Sequence, residues 1–501
     1  MENITKRFGS VVANNAINME LREGEILSLL GENGSGKTTL MNMLSGIYFP
    51  DEGQIYIHDK PVTIASPKDA FDLGIGMIHQ HFKLVDLFTA TENIILGLEG
   101  KLDLNNARKK VKDICDRYGF DIDPDMKIYD MSVSQKQTVE IVKVLYRGAD
   151  ILILDEPTAV LTPQETDKLF AVLRNMRDDG KAIVIITHKM HEVEALSDRV
   201  AILRHGQFIG DMLTAQTNAQ EMTNMMVGHA VSLNIERPDP VDPKPRIEVK
   251  NLTVRSVDGI IKLDDVSFTA NSGEILGIAG ISGCGQKELL EAIAGLQTVE
   301  SGSISYIEDD SSREELIGKD PLSIAELGVS LSFVPEDRLG MGLVGNMNLA
   351  DNMMLRSFRR GKSIFTDRRS PRALAESVVQ ELSVSTPSVD TPVRRLSGGN
   401  VQKVLVGREI ASAPTVLLTA YAVRGLDINA SYTIYDLINR QKKKGVAVIY
   451  VGEDLDVLLE LADRILVLCG GKVSGIVEGR KTSKREVGMM MTKLGGDKAD
   501  E

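Results

Sequence analysis

Cysteine is scarce in this chain of 501 residues, which contains only Cys115, Cys284 and Cys469. An odd number of widely separated thiols provides neither a disulfide framework nor a pair at metal-ligand spacing. Long hydrophobic runs are also missing, because the apolar runs at 151–154 and 182–186 are far shorter than the ~20 residues that cross a bilayer. The first residues, Met-Glu-Asn-Ile, have neither the basic nor the apolar region of a secretory signal. We therefore expect an intracellular, soluble chain with reduced thiols.

The chain also lacks an excess of positive charge, since the formal net charge is −13 at pH 7 and the isoelectric point is about 5.2. Nucleic acid binding requires a basic face, so this balance argues against nucleic acid as the main partner. The exception is the stretch 356–372, which has seven arginines and lysines and the single acid Asp367. We favour a solvated surface for it over a docking site near anionic headgroups or a membrane partner.

The chain repeats itself, and its length exceeds what one hydrophobic core supports. The sequence Gly-Glu-Ile-Leu occurs at 24–27 and again at 273–276, and Asp-Arg occurs at 198–199 and again at 463–464. These offsets are 249 and 265 residues. The segment 237–245 between the copies contains four prolines, which neither a helix nor a central strand accepts. We expect two domains, 1–230 and 246–501, joined by a proline-rich linker at 231–245.

In each half, short β-rich runs alternate with helical patterns, which indicates a parallel α/β fold. The second copy opens with a strand-like stretch at 246–249, and the first copy has no room for its equivalent before Asn3. Either the true start lies upstream or one sheet edge is missing, and we favour the upstream start.

A glycine-rich segment at 31–38, Gly-Glu-Asn-Gly-Ser-Gly-Lys-Thr, matches the phosphate-loop pattern G-x-x-x-x-G-K-[ST]. Its glycines allow consecutive backbone N–H groups to turn inward around a phosphate. Lys37 is expected to neutralise the β- and γ-phosphates, and the hydroxyl of Thr38 is expected to ligate Mg²⁺. The segment follows an apolar strand and opens a helix, so we favour a nucleotide site over a plain glycine-rich turn.

Two further strands end in polar side chains. The run 151–156 ends in Asp155 and Glu156, which would be ordinary acids at a sheet rim if no phosphate loop accompanied them. With that loop present, we expect Asp155 to hold Mg²⁺ through water and Glu156 to polarise the attacking water. The run 183–186 leads to His188, which we expect to contact the γ-phosphate.

In this order, the landmarks resemble those of the ATP-binding-cassette (ABC) ATPases, and the resemblance covers nearly the whole chain. It implies two tandem P-loop NTPase domains of the α/β class, each with a mainly parallel core sheet, an antiparallel β subdomain and a helical subdomain. It also implies that Gln80 contacts the metal, takes part in catalysis and links the site to a membrane subunit. The residues assigned to the nucleotide in the first half are Phe8, which would stack on adenine unless it is a core residue, Gly31, Asn33, Gly34, Ser35, Gly36, Lys37, Thr38 and Thr39.

The first half departs from the family at two places. The signature, usually Leu-Ser-Gly-Gly-Gln, reads Met-Ser-Val-Ser-Gln at 131–135, so Val133 and Ser134 put side chains where backbone should approach phosphate. Thr162 stands where the family usually has the aspartate of its D-loop.

The second half resembles the first with its chemistry removed. At the two offsets, Lys37 corresponds to Gln286 and His188 to Glu453, and all seven histidines lie at or before His229. Asp155 corresponds to Ala420 and Glu156 to Tyr421. The signature, however, retains both glycines in Ser397, Gly398 and Gly399, and the D-loop retains its acid in Asp427. In the family, cassettes face each other head to tail, which implies one complete ATP site from the first-half loop and the second-half signature, and one degraded site.

The resemblance is closest to the ATPase subunits of bacterial simple-sugar and nucleoside importers, and the stretches 79–85 and 158–165 favour nucleosides over ribose- or galactose-type sugars. It implies ATP and Mg²⁺ as ligands, and as partners two membrane-spanning permease subunits and an extracellular solute-binding (lipo)protein. The chain would lie peripherally on the cytoplasmic face of the cell membrane and bind no nucleic acid. The alternative class is a soluble tandem-cassette nucleotide switch on ribosomes or nucleic acid, against which the acidic charge argues.

Overall fold

Two compact units, Met1–Ser232 and Leu233–Glu501, make up the chain in a computed structural model. Arg237, from the predicted linker, belongs to the second unit and donates from Nη1 to the carbonyl of Leu459 over 2.9 Å. Gln80 and Glu453 lie outside the described residues. The described residues are 1–9, 11–79, 82–98, 103–159, 161–229, 233–256, 258–281, 283–309, 312–333, 342–355, 357–358, 366–411, 413–424, 426–452 and 454–492.

The first unit contains two sheets in its described part. The antiparallel sheet has the order β2-β1-β4-β5, and the larger sheet has the order β10-β9-β3-β8-β7-β6, in which only β10 runs antiparallel to its neighbour. The strands are β1 (Glu2–Phe8), β2 (Val11–Ile17), β3 (Ile26–Leu30), β4 (Glu52–Ile57), β5 (Lys60–Val62), β6 (Ile75–Ile78), β7 (Ile151–Asp155), β8 (Ala182–Ile186), β9 (Arg199–Arg204) and β10 (Gln207–Leu213).

Helices cover the larger sheet because its central strands are apolar on both faces. Every residue of β3 and β8 is buried, as expected for a parallel strand that is packed on both sides. The helices are α1 (Lys37–Leu44), α2 (Pro67–Asp72), α3 (Ala90–Ile95), α4 (Leu104–Tyr118), α5 (Val133–Tyr146), α6 (Pro163–Asp178), α7 (Met190–Leu196) and α8 (Ala219–Val227), with 3₁₀ turns at Ile128–Asp130 and Thr214–Gln216. Helices α3, α4 and α5 share a hydrophobic core of their own, which forms the helical subdomain.

The second unit repeats this plan with sheet orders β12-β11-β14-β15 and β16-β17-β18-β13-β19-β20. Its strands are β11 (Pro245–Arg255), β12 (Ile261–Asn271), β13 (Ile275–Gly280), β14 (Ser301–Asp309), β15 (Ser312–Glu315), β16 (Val329–Phe333), β17 (Val416–Ala420), β18 (Ala447–Val451), β19 (Arg464–Cys469) and β20 (Lys472–Glu478). Its described helices are α9 (Gln286–Ile293), α10 (Pro321–Glu326), α11 (Leu349–Met354), α12 (Arg369–Glu381), α13 (Gly398–Ala411), α14 (Ile428–Lys443), α15 (Leu455–Leu461) and α16 (Lys484–Thr492), with a 3₁₀ turn at Val393–Arg395.

The predicted α/β fold with tandem cassettes is confirmed. The stretch 246–249 is the first part of β11, which has 11 residues. The 7-residue β1 matches the later part of β11, since Ile4 pairs with Ile17 as Leu252 pairs with Val266. The antiparallel sheet of the first unit thus keeps four strands. Across the residues described above, no helix is both long enough and apolar enough to cross a membrane.

The basic stretch at 356–372 is only partly described. Within it, Arg372 on α12 pairs with Asp390 at 2.7 Å and with Glu376 at 3.4 Å. Both partners and Arg372 itself are well exposed, which is compatible with a solvated surface and with a docking site, so the interpretation of this stretch stays a prediction.

Candidate functional site

The loop between β3 and α1 is shaped by glycines. Gly36 caps α1 with a φ of 99°, and a Cβ there would lie 2.4 Å from the carbonyl oxygen of Ala13 on β2. A Cβ at Gly31 would lie 2.3 Å from the carbonyl oxygen of Leu203 on β9. Side chains at these positions would push the neighbouring strands away, so the loop keeps its close approach to both strands only with glycine. At Gly34, φ is 82° and no described atom lies within 4 Å of a built Cβ, which leaves that part of the loop open to a ligand.

Lys37 is buried at the start of α1 and turns back over the loop. Its Nζ donates to the carbonyl of Gly31 at 2.7 Å and to the carbonyl of Glu32 at 3.0 Å. Burial lowers the pKa of the Lys37 ammonium, and the nearby carboxylates of Glu156, Asp155 and Glu32 oppose that shift. The side chain therefore holds a positive charge at the centre of the loop, where a phosphate would sit.

Asp155, at the end of β7, lies beside the loop and accepts a hydrogen bond from the Thr38 side chain. Burial, reinforced by the charge of Glu156, raises the pKa of the Asp155 carboxyl to about 6, while Lys37 and the Thr38 hydrogen bond oppose the rise. A nearby positive charge would stabilise the ionised form of the partly buried Asp155 carboxyl. The Thr38 hydroxyl and the Asp155 carboxylate are therefore a suitable pair of oxygen ligands for Mg²⁺. These residues fit the predicted metal.

Glu156 and His188 are brought together by two adjacent parallel strands. Glu156 follows directly after β7 with a φ of 49°, and its N–H donates to the carbonyl of Ile186 at the end of β8 over 2.9 Å. His188 follows β8, and its Nδ1 lies 2.8 Å from Oε1 of Glu156. The Glu156 side chain is 15% exposed and that of His188 is 62% exposed. The pair thus has one partly buried acid and one ring that is exposed to solvent.

Oγ of Ser35 and Oε2 of Glu156 are among the buried polar atoms that have no hydrogen-bond partner in the part of the chain that the structure describes. Buried polar atoms are normally satisfied, so both call for a partner from outside the chain. A phosphate oxygen suits the Ser35 hydroxyl, and a water molecule suits the Glu156 carboxylate.

Phe8 is not a core residue, because it is 44% exposed at the end of β1. Its ring packs edge-on against Tyr48, with 5.2 Å between centroids and 71° between planes. The core alternative for Phe8 is thereby wrong, and its role with adenine stays a prediction. Tyr48 had no signal in the sequence, because a single tyrosine after a helix carries no motif.

The first-half signature begins a well-capped helix in spite of its missing glycines. Ser132 caps α5 through a reciprocal capping box with Gln135, and Val133 is 37% exposed.

Further along α5, the buried Gln137 donates from Nε2 to the carbonyl of Pro157 at 2.5 Å. Sequence reasoning missed this anchor, which attaches the signature helix to the loop that carries Glu156. Its only signal was the repeat, because Gln402 holds the equivalent place and donates to the carbonyl of Ala422, the counterpart of Pro157.

The second unit keeps the shape of the phosphate loop without its chemistry. Gln286 donates from Nε2 to the carbonyls of Gly280 at 2.8 Å and Ile281 at 3.3 Å, as Lys37 does in the first unit. Gly285 has a φ of 96°, close to the 99° of Gly36. Ala420 is fully buried and has no ligand atom. The second unit thus keeps the shape of the loop, although it has no counterpart of the Lys37 charge or of the Asp155 and Glu156 carboxylates.

The second-half signature lies at the start of α13. Oγ of Ser397 accepts a hydrogen bond from Nδ2 of Asn400 at 2.8 Å, and Gly398 and Gly399 form the first turn of the helix. A Cβ at Gly399 would lie 3.4 Å from the Leu426 side chain, an ordinary contact distance. Among the described residues, packing around Gly399 would thus accept a Cβ, and the role of this glycine at a phosphate stays a prediction.

Comparison with known sequences agrees with this geometry. The sequence model of the ABC transporter family matches residues 14–159 and 263–419. A nucleoside import ATP-binding protein of Lactococcus lactis subsp. cremoris is 42% identical over 504 residues, with 99% of this chain and 98% of the relative covered.

Two further relatives are named for different substrates. A glucose import ATP-binding protein of Haloferax volcanii is 39% identical, with 99% of this chain and 96% of the relative covered. A guanosine import ATP-binding protein of Bacillus subtilis is 41% identical, with 98% and 96% covered.

Proposed function

The chain belongs to the ABC transporter family, and we propose that it is the ATP-hydrolysing subunit of an importer whose cargo is a nucleoside. The observation that carries the catalytic part is the Glu156–His188 pair at 2.8 Å beside the buried Lys37 and Asp155. A scaffold that only binds nucleotide would have no use for a buried acid beside the phosphate loop.

Each residue of the first unit has a distinct task in this proposal. Lys37 and the loop amides between Gly31 and Thr38 bind the β- and γ-phosphates, and the Ser35 hydroxyl donates to a phosphate oxygen. Thr38 and Asp155 would hold Mg²⁺, which neutralises charge that develops on the phosphates. Glu156 accepts a proton from the attacking water through the oxygen that lacks a partner within the described chain. His188 orients the Glu156 carboxylate and contacts the γ-phosphate.

The remaining members of the site stay proposals that derive from the family pattern. Phe8 stacks on the adenine ring from its exposed position, and Asn33, Gly34 and Thr39 line the nucleotide. Gln80 contacts the metal and the membrane subunit. The signature residues Ser397, Gly398 and Gly399 supply the anion contacts that Val133 and Ser134 cannot, since two consecutive glycine amides at a helix start favour a phosphate.

The relatives support the proposed cargo and partners. The ATP-binding proteins for nucleoside and guanosine import are 42% and 41% identical to this chain, and the one for glucose import is 39% identical. A nucleoside is therefore the favoured cargo, and a sugar is the second candidate. We propose two permease subunits and an extracellular solute-binding protein as partners, with this chain peripheral on the cytoplasmic face of the membrane. Uptake of labelled guanosine against labelled ribose and glucose, in vesicles with the co-purified membrane partners, tests the cargo.

The catalytic proposal is tested with Glu156→Gln. We expect the variant to bind ATP as the parent does and to hydrolyse it about 10²- to 10⁴-fold more slowly, because it loses the general base while the loop is unchanged. The measurements are steady-state phosphate release and ATP affinity by fluorescence titration. The matched control is Tyr421→Phe at the equivalent position of the second unit, which should leave hydrolysis unchanged. Near-parental turnover in Glu156→Gln would contradict the assignment of the base.

A further inference from the structure

A second carboxylate of the first unit is buried close to the Glu156–His188 pair and has no part in the function proposed so far. Glu192 lies on α7 and is 4% exposed. Both of its oxygens accept from the Thr158 hydroxyl, at 2.6 and 2.7 Å, and Oε2 also accepts from the Thr187 hydroxyl at 3.3 Å. Nζ of Lys189 lies 3.1 Å from Oε1. The carboxylate is therefore fully satisfied by protein groups, which distinguishes it from Glu156.

The partners of Glu192 belong to the two loops that carry the catalytic pair. Thr158 is two residues beyond Glu156, and Thr187 and Lys189 flank His188 on either side. Lys189 Nζ also donates to the carbonyl of Thr158 at 3.2 Å. Thus the loop after β7 and the loop after β8 are joined through one buried carboxylate. We refer to Thr158, Thr187, Lys189 and Glu192 as the loop tie.

The second unit has the same strands and helix but lacks the tie. At the repeat offset of 265 residues, Thr158 corresponds to Val423, Thr187 to Gly452, Lys189 to Asp454 and Glu192 to Val457. Val423 and Val457 pack against the core of their unit. Strands β17 and β18 and helix α15 form with valines at the places of Thr158 and Glu192. The fold therefore does not require the tie, and the unit that has it is the one with the catalytic pair.

We propose that Glu192 is a positioning residue for ATP hydrolysis: through the loop tie it holds the Glu156 carboxylate and the His188 imidazole at their observed separation. The inference rests on the proposed function, because positioning matters only if Glu156 and His188 act on ATP. A shift of either group by a fraction of an ångström changes the rate of the chemical step much more than the affinity for ATP. The tie thus acts on kcat and leaves binding by Lys37 unaffected.

Removal of single hydrogen bonds gives the first test. Thr158→Val keeps the shape of the side chain but removes the hydroxyl, and Thr158→Ser keeps the hydroxyl. We expect Thr158→Val and Glu192→Gln to lower kcat about 10- to 100-fold, with KM for ATP near the parental value. Thr158→Ser should retain most of the rate. The matched control is Glu194→Gln on the same helix, an exposed glutamate whose Oε1 accepts from the N–H of Ala219. Equal activity of Thr158→Val and Thr158→Ser would overturn the proposal.

A double replacement separates positioning from folding. Thr158→Val with Glu192→Val installs the apolar pair that the second unit has at Val423 and Val457. We expect this variant to fold with a melting temperature close to that of the parent and to hydrolyse ATP as slowly as Glu192→Gln. A rate equal to that of the parent would overturn the proposal.

The third test asks whether Glu192 acts through His188. In a His188→Ala background, Glu192→Gln should add little to the loss of rate measured under single-turnover conditions, because the pair to be positioned is already broken. Losses that multiply would show that Glu192 acts independently, and would overturn the proposal. A failure of the proposed function is distinguishable: the parent would then not hydrolyse ATP, or Glu156→Gln would hydrolyse it as fast as the parent.

Discussion

Asp155 is a residue whose negative charge the folded chain disfavours, in spite of the nearby Lys37. Its pKa rises from the 3.8 of a free carboxyl to about 6, chiefly because the side chain is partly buried and because Glu156 adds a second negative charge. Since the pKa is higher in the folded than in the unfolded state, protonation favours folding. The contribution of Asp155 is therefore favourable below about pH 4, declines as the pH rises, and is lost above about pH 6.

Asp155→Asn should accordingly stabilise the chain in the absence of ATP and metal while it removes the proposed metal ligand. We expect a gain of about 1–2 kcal/mol in the free energy of unfolding at pH 7.5, after discounting for partial solvent exposure of the carboxyl. The gain should shrink as the pH approaches 4. Thermal unfolding at several pH values, with ATP hydrolysis measured in parallel, checks both effects. A variant less stable than the parent at pH 7.5 would show that burial does not dominate at Asp155.

At the residue scale, the sequence predicted side chains that suit ATP chemistry, a role that stays a prediction, but it did not predict how they are held. The phosphate-loop pattern singled out Lys37 and Thr38 because that motif has a fixed spacing. The hydrogen bond between Thr38 and Asp155 and the proximity of Glu156 to His188 join residues that are far apart in the chain. Such contacts depend on strand pairing across the sheet, which no local pattern specifies.

At the scale of single elements, Thr162 illustrates a departure from the family pattern with no loss of structure. Thr162 caps α6, its hydroxyl accepting from the N–H of Glu165 and Oε2 of Glu165 accepting from the N–H of Thr162 at 2.9 Å. Asp427 does the same for α14, with its carboxylate accepting from the N–H of Ala430 at 2.7 Å. The sequence indicated a lost acid, whereas the structure adds that the helix cap is retained.

Thr162→Val keeps the shape of this side chain but removes the cap. We expect the first unit to lose about 1 kcal/mol of stability, the usual effect of losing a threonine cap. Thr162→Ser, which keeps the hydroxyl, should lose less. Urea denaturation followed by circular dichroism, with ATP hydrolysis alongside, gives the comparison. Indistinguishable curves for the two variants would mean that the capping box does not stabilise α6.

The elements themselves were predictable where their pattern is local. Apolar runs such as 151–154 and 183–186 became β7 and β8, because continuous burial on both faces marks a parallel strand. The place of β6 next to β7 was not predictable, since about seventy residues and three helices separate the two strands in the chain. Their pairing is decided by packing of the whole unit.

At the scale of the whole molecule, the division of labour between the units is a proposal that mutation can test. If the second-half signature completes the first-half site, Gly398→Asp should abolish hydrolysis while ATP still binds, because a carboxylate would repel the γ-phosphate. Ser134→Asp, the matching change in the first-half signature, should leave most of the activity. Steady-state hydrolysis and ATP affinity of both variants are the measurements. A fully active Gly398→Asp, or equal losses in both variants, would show that the units do not share a site.

Glu156 and Tyr421 adopt the same left-handed backbone, with φ values of 49° and 54°. In both units, the N–H of that residue donates to the last strand residue of β8 or β18 over 2.9 Å. A left-handed backbone costs about 1–3 kcal/mol for a residue with a Cβ. It nevertheless persists at position 421, where tyrosine stands in place of the glutamate. The bend is therefore a property of the scaffold and owes nothing to hydrolysis. A design that aims to build a second catalytic site could therefore keep the main chain at 421 and would need to replace side chains only.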